Sequence, residues 1–112
     1  MCILTHDEIL KEIDRGKIKI DPFEESQVGP ASVDLHLGNQ FRVFRKIHDI
    51  FEVCDFSDAT SITDLITVDD RFVLMPQETV LGITQECICL SPSICGWLEG
   101  RSRFARMGLM VH

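Results

Sequence analysis

Beyond Gly16, turn-forming residues recur so closely that no segment can hold a long helix, and this limits the chain to short strands. Asp21-Pro22, the stretch DPFEESQVGPAS with its two prolines and glycine, Gly38-Asn39, Pro76-Gln77-Glu78 and Ser91-Pro92 punctuate the sequence. Between them apolar residues alternate with polar ones, the period of a half-buried strand. Ile18 and Ile20 alternate with Lys17 and Lys19, and Val33, Leu35 and Leu37 alternate with Ser32, Asp34 and His36. The second pattern predicts a strand over Ser32–Leu37 with Asp34 on the face opposite the leucines. Gly38-Asn39 then reads as a turn, with Phe41 and Val43 opening the next strand. Phe72–Met75, Thr79–Thr84, Cys87–Leu90 and Ile94–Leu98 read as further strands, whereas Lys46–Asp70 shows no clear period and reads as an excursion with some strand content.

The exception lies at the N-terminus. Ile9, Leu10 and Ile13 recur at helical spacing, Thr5-His6-Asp7-Glu8 has the form of a capping box, and Gly16 is placed to leave the helix with positive φ. A helix over about Thr5–Arg15 is expected, and a second of one or two turns over Ser102–Met107, between Gly100 and Gly108. With no repeats and no low-complexity tract, the whole suggests a mainly β barrel or sandwich with a short N-terminal helix, one domain over residues 1–112.

The formal net charge of −7 argues against a general nucleic-acid surface, which relies on an excess of lysine and arginine. MCILTHDEIL is too short and acidic for a signal peptide, and no stretch has the apolar length of a membrane span. The five cysteines, Cys2, Cys54, Cys87, Cys89 and Cys95, are odd in number and lack the spacing of a secreted scaffold. A soluble protein of a reducing compartment, the cytoplasm, is the expectation.

Against this acidic background EGRSRFARMGLMVH stands apart. Arg101, Arg103 and Arg106 flank Ser102 just after Gly100, so backbone, hydroxyl and guanidinium forks could converge on phosphate oxygens. The plainer alternative is a solvated basic turn paired with the chain's many acids. Asp34 could support a magnesium ion or orient a neighbour, or simply face solvent. Cys87-x-Cys89 with Cys95 and a histidine could ligate zinc, but C-x-x-C pairs are absent, and core packing accounts better for these thiols. Among the scattered histidines, His112 follows Leu109-Met110-Val111 and could end a core strand near the arginines.

Four stretches, ILTHDEILKEIDRGKIKIDPF, VGPASVDLHLGNQFRVF, CLSPSICGWLEGRS and RSRFARMGLMVH, resemble the N-terminal portion of the dCTP deaminases, in the superfamily shared with trimeric dUTP diphosphatases. The resemblance implies a distorted β-barrel of the dUTPase-like type, incomplete at its C-terminal side, and a homotrimer with sites between subunits. It also implies zinc-independent hydrolysis of dCTP to dUTP and ammonia, with Mg2+ accompanying the triphosphate and no metal held directly by the protein. Carried over by position, Arg101, Ser102, Arg103, Phe104, Ala105 and Arg106 form the nucleotide- and phosphate-binding segment. Ser102 lies near the reacting water, Arg106 supports the catalytic group and the phosphate, and Asp34 and His112 give indirect support.

Two departures accompany the resemblance. Arg103 stands where many relatives have a second serine, so that hydroxyl's contact does not transfer. The family's general-base glutamate belongs to a segment beyond His112. Attack of water at C4 of cytosine needs a base for its proton and an acid for the leaving ammonia, and in a metal-free site one carboxylate can serve as both. Glu99, beside the arginines, is placed to pair rather than to act as that base, so the 112 residues alone are expected to be inactive or severely impaired. The resemblance extends to a bifunctional deaminase and diphosphatase that carries dCTP on to dUMP, and the alternatives are a dUTP diphosphatase, releasing dUMP and pyrophosphate, and a truncated, non-catalytic nucleotide-binding relative.

Overall fold

The computed structural model describes residues 2–112. Its elements are α1 (His6–Asp14), β1 (Ile18–Asp21), β2 (Leu37–Phe44), β3 (Thr63–Thr67), β4 (Val80–Thr84), β5 (Cys87–Leu90) and α2 (Ser102–Ala105), with 3-10 turns at Glu25–Gln27 and Ala59–Ser61.

α1 forms where its apolar spacing places it, but without the expected capping box. The Thr5 side chain makes no cap hydrogen bond, and the Glu8 carboxylate instead accepts from Lys11 Nζ at 2.6 Å. Its C-terminus behaves as the sequence predicts. Gly16 takes a φ of +73°, its N–H donates to the Ile13 carbonyl and the Lys17 N–H to that of Glu12, each at 2.9 Å, closing a Schellman motif. The helix turns Ile9 inward against Ile18 and Val28, and Leu10, Ile13, Phe23, Val33, Leu90 and Ile94 pack around these three.

β1 pairs antiparallel with β5, Ile18 opposite Leu90 and Asp21 opposite Cys87, so the helix-proximal core is completed by a strand from far along the chain. The remaining strands form a second sheet in the order β3-β2-β4. Phe41 is its buried centre, facing Ile66 on β3 and Gly82 on β4, and Phe72 stacks on it with ring centroids 4.5 Å apart.

Several sequence expectations are corrected here. Of the segment Ser32–Leu37 only Leu37 is in a strand, as the first residue of β2: Val33 makes one isolated bridge to Val28, and Asp34 and His36 give their hydrogen bonds elsewhere, as described below. Gly38-Asn39 is no turn but lies inside β2, next to an irregularity in register between Leu37 and Phe41. The glycine answers a close approach, since a Cβ there would stand 2.9 Å from the Ile83 carbonyl oxygen. Phe72–Met75 and Ile94–Leu98 are not strands either. The five cysteines are free and exposed rather than packed in a core.

The fold is thus mainly β with a short N-terminal helix, and among the described residues its two sheets do not close into a barrel. The radius of gyration is 17.1 Å, against about 13 Å for a compact domain of this size. On the face of the second sheet opposite Phe41, Arg42 lies between Leu65 and Leu81, and Leu65, Leu81 and Ile83 are exposed. No helix is long and apolar enough to cross a membrane among the described residues.

Candidate functional site

Gly100 sets the geometry of the cationic segment. A Cβ at this position would lie 3.2 Å from the Val111 Cβ and 3.3 Å from its nitrogen, so the chain folds back after α2 and Val111 closes over the glycine. The return is made by Gly108, at a φ of +88°, and by the Leu109 N–H donating to the Phe104 carbonyl at 3.0 Å. Ser102–Ala105 form the single helical turn that the two flanking glycines predict.

This turn presents its side chains to solvent. Arg101, Ser102, Arg103, Phe104, Ala105 and Arg106 are all exposed. Among the described residues neither Arg103 nor Arg106 has a carboxylate partner, whereas Arg101 Nη2 stands 3.4 Å from Asp34 Oδ2. The structure therefore brings together two residues that the sequence separates widely, the acid of the Ser-Val-Asp stretch and the first arginine of the cluster. With one arginine paired and two unpaired, the segment can receive an anion rather than merely neutralise nearby acids. His112 is exposed and lies outside any strand, so it does not end a core strand as expected. Val111 takes the packing role beside it.

Sequence reading missed what lies behind Asp34. Its N–H donates to the Gln27 carbonyl at 2.8 Å, and its own carbonyl accepts from Gln27 Nε2 at 2.9 Å. The same Nε2 donates to Glu86 Oε1 at 2.8 Å, and Gln27 Oε1 accepts from the Glu24 N–H at 2.7 Å. Glu86 also accepts from the His36 N–H, at 2.9 Å on Oε2, and lies 2.6 Å from His36 Nδ1. Its side chain is only 1% exposed while the His36 ring is 63% exposed. Burial by itself would raise the Glu86 carboxyl, but donation from the His36 ring and amide outweighs it and holds the group below the ordinary carboxylate value. A glutamate between two short strands reads as a polar turn in sequence, and nothing local marks it as buried.

Among the described residues no three His, Cys, Asp or Glu side chains come together as a metal site. The chemistry open to this surface is anion recognition through guanidinium groups and the Ser102 hydroxyl.

Comparison with known proteins identifies the family. A family model described as dCTP deaminase-like matches residues 3–112. The chain is 38% identical over 112 residues to a dUMP-forming dCTP deaminase of Parafrankia sp., covering 98% of this chain and 55% of the relative. It is 41% identical over 119 residues to a dCTP deaminase of Marinomonas sp., covering 97% and 61%. To a dUMP-forming dCTP deaminase of Nanoarchaeum equitans it is 36% identical over 126 residues, covering 98% and 64%. The chain thus spans a little over half the length of these relatives.

Proposed function

The chain belongs to the dCTP deaminase-like family, and from that membership we propose that the protein carrying these residues hydrolyses dCTP to dUTP and ammonia. The observation that carries the reading is the exposed turn Arg101–Arg106, with Arg103 and Arg106 lacking a carboxylate partner among the described residues and Arg101 set against Asp34. In this reading the guanidinium groups hold the triphosphate, Ser102 lies beside the attacking water, and Arg106 supports both the phosphate and the catalytic group. Water adds at C4 of the cytosine, its proton passes to a general base, and ammonia leaves after protonation. In this reading the base is a glutamate of a segment outside these residues, as the resemblance implies, and the turn described here binds and orients the nucleotide.

Mg2+ is proposed to accompany the nucleotide, neutralising part of the triphosphate charge. The donor set supports an ion held by phosphate oxygens, with Asp34 contributing indirectly through Arg101. A homotrimer with sites between subunits is also proposed, supported by the exposed Leu65, Leu81 and Ile83 on the second sheet. The cytoplasm, where deoxynucleotides are made, is the proposed location.

Several relatives are named as dUMP-forming, and this favours a second step in which water attacks the α-phosphate of dUTP and pyrophosphate leaves. Incubating the protein with dCTP and with dUTP separates the readings. Ammonia and pyrophosphate both released from dCTP indicate the two-step reaction, and ammonia with intact dUTP indicates deamination alone. Pyrophosphate from dUTP with no ammonia from dCTP indicates a diphosphatase and overturns the proposal.

A further inference from the structure

Glu86 is set at the joint between the two sheets. The Gln85 N–H donates to the His36 carbonyl at 2.8 Å, Gln85 Nε2 donates to the Leu37 carbonyl at 3.2 Å, and Thr84 Oγ1 donates to the Glu86 carbonyl at 2.9 Å. From that joint the carboxylate reaches Gln27, which ends the loop packed on the helix-proximal core, and His36, which leads into β2. A buried carboxylate is a poor way to join two sheets, because an apolar side chain of similar volume fills such a space without losing the hydration of a charge. What the charge adds is direction: its two oxygens accept from three donors, and each donor is thereby fixed.

We propose that Glu86 is a positioning residue for the phosphate-facing segment, acting through Gln27 and the His36 amide to fix the peptide of Asp34, whose carboxylate orients the Arg101 guanidinium. Gln27 grips Asp34 at both its N–H and its carbonyl, and Glu86 grips Gln27 and the His36 N–H on the far side of Leu35. The backbone on both sides of the Asp34 Cα is therefore held, and with only two side-chain torsions its carboxylate has little room to swing. Arg101 is the opposite case, a long side chain 66% exposed. Ordering it before the nucleotide arrives removes part of the entropy lost on binding. Asp34 also places a negative charge near the phosphates, but it is half exposed and that repulsion is screened, so ordering outweighs it.

This inference rests on the nucleotide-binding reading above, and the experiment separates the two. Titration calorimetry with dCTP and magnesium on the wild type, Asp34→Asn, Glu86→Gln and the double variant should show each single variant weakening binding. The double variant should bind no more weakly than Asp34→Asn alone, because Glu86 acts through Asp34. Additive losses, tighter binding by Asp34→Asn, or wild-type affinity in Glu86→Gln would overturn the proposal. The second arm needs no ligand. In 15N-arginine-labelled protein, the guanidinium resonances of Arg101 should move towards those of free arginine in Asp34→Asn and in Glu86→Gln, while the sheet amides stay in place. An unmoved Arg101 in a folded Glu86→Gln overturns it. If that variant does not fold, Gln27→Met, which leaves the Glu86–His36 contacts intact, is read in the same way. A wild type that binds no dCTP defeats the nucleotide reading, and the Arg101 resonances still decide the positioning role.

Discussion

Asp34 Oδ2 faces Arg101 Nη2 at 3.4 Å, both side chains about half exposed or more. Such a pair orders a site without carrying the fold. Asp34→Asn is expected to lower unfolding free energy by less than about 1 kcal/mol, measured by urea denaturation, and the difference should vanish in 1 M salt, where the Debye length is about 3 Å.

Arg106 has no carboxylate partner among the described residues, so its charge is available to a ligand. Arg106→Ala is expected to weaken dCTP binding by roughly ten- to a hundredfold, the equivalent of about 1.5–3 kcal/mol for hydrogen bonds to a charged group. Calorimetry checks this. Ser102→Ala should weaken binding less and act chiefly on turnover in the protein that carries the whole site.

Gly100 leaves no room beneath Val111. Gly100→Val is expected to cost about 1–3 kcal/mol by overpacking and to release the last residues, so that limited proteolysis after Arg106 becomes faster. Loss of dCTP affinity should accompany it, because Arg101 adjoins the displaced glycine.

The Glu86 carboxyl is held below its ordinary value of 4.5, so the unfolded chain binds more protons than the folded one between the two values. Stability contributed by this group is fully present above the unfolded value and is lost as pH falls through the folded one. Urea midpoints measured from pH 7 down to pH 3 should therefore fall, and the fall should be shallower in Glu86→Gln. Glu12, lowered chiefly by the Arg15 guanidinium, keeps some of the slope in that variant.

Phe72 is half-buried and stacks on Phe41 with planes 22° apart. Phe72→Ala is expected to cost about 2 kcal/mol, below the roughly 3–5 of a fully buried phenylalanine. Hydrogen exchange at Ile66 and Gly82, the strand neighbours of Phe41, should speed up with it.

The legible parts of the structure are those fixed by neighbours in sequence. α1, the positive-φ glycine at its end, the short turn of α2 between its glycines, and the strands β1, β4 and β5 follow from local spacing and turn chemistry. Gly38 misled because a glycine required by a close approach looks the same as one required by a turn, and only the Ile83 carbonyl across the strand separates the two cases. The Ser32–Leu37 alternation misled because Asp34 bonds to Gln27, and His36 to Glu86 and Gln85, rather than to a strand. Of the site, the arginine turn is legible and Asp34 is marked as an indirect support, but its pairing with Arg101 is not. Glu86 and Gln27 were invisible, since their burial depends on contacts that span most of the chain.

The pairing of Ile18–Asp21 with Cys87–Leu90 has a consequence in time. During translation the helix and its first strand emerge early, yet the strand's partner follows only after on the order of ten seconds of synthesis. Until then the apolar side of Ile18 and Ile20 and an open strand edge stand uncovered, and closing so long a loop is slow. The first element made is thus among the last secured, and a nascent chain stalled before residue 87 is the form most exposed to chaperones and to misassembly.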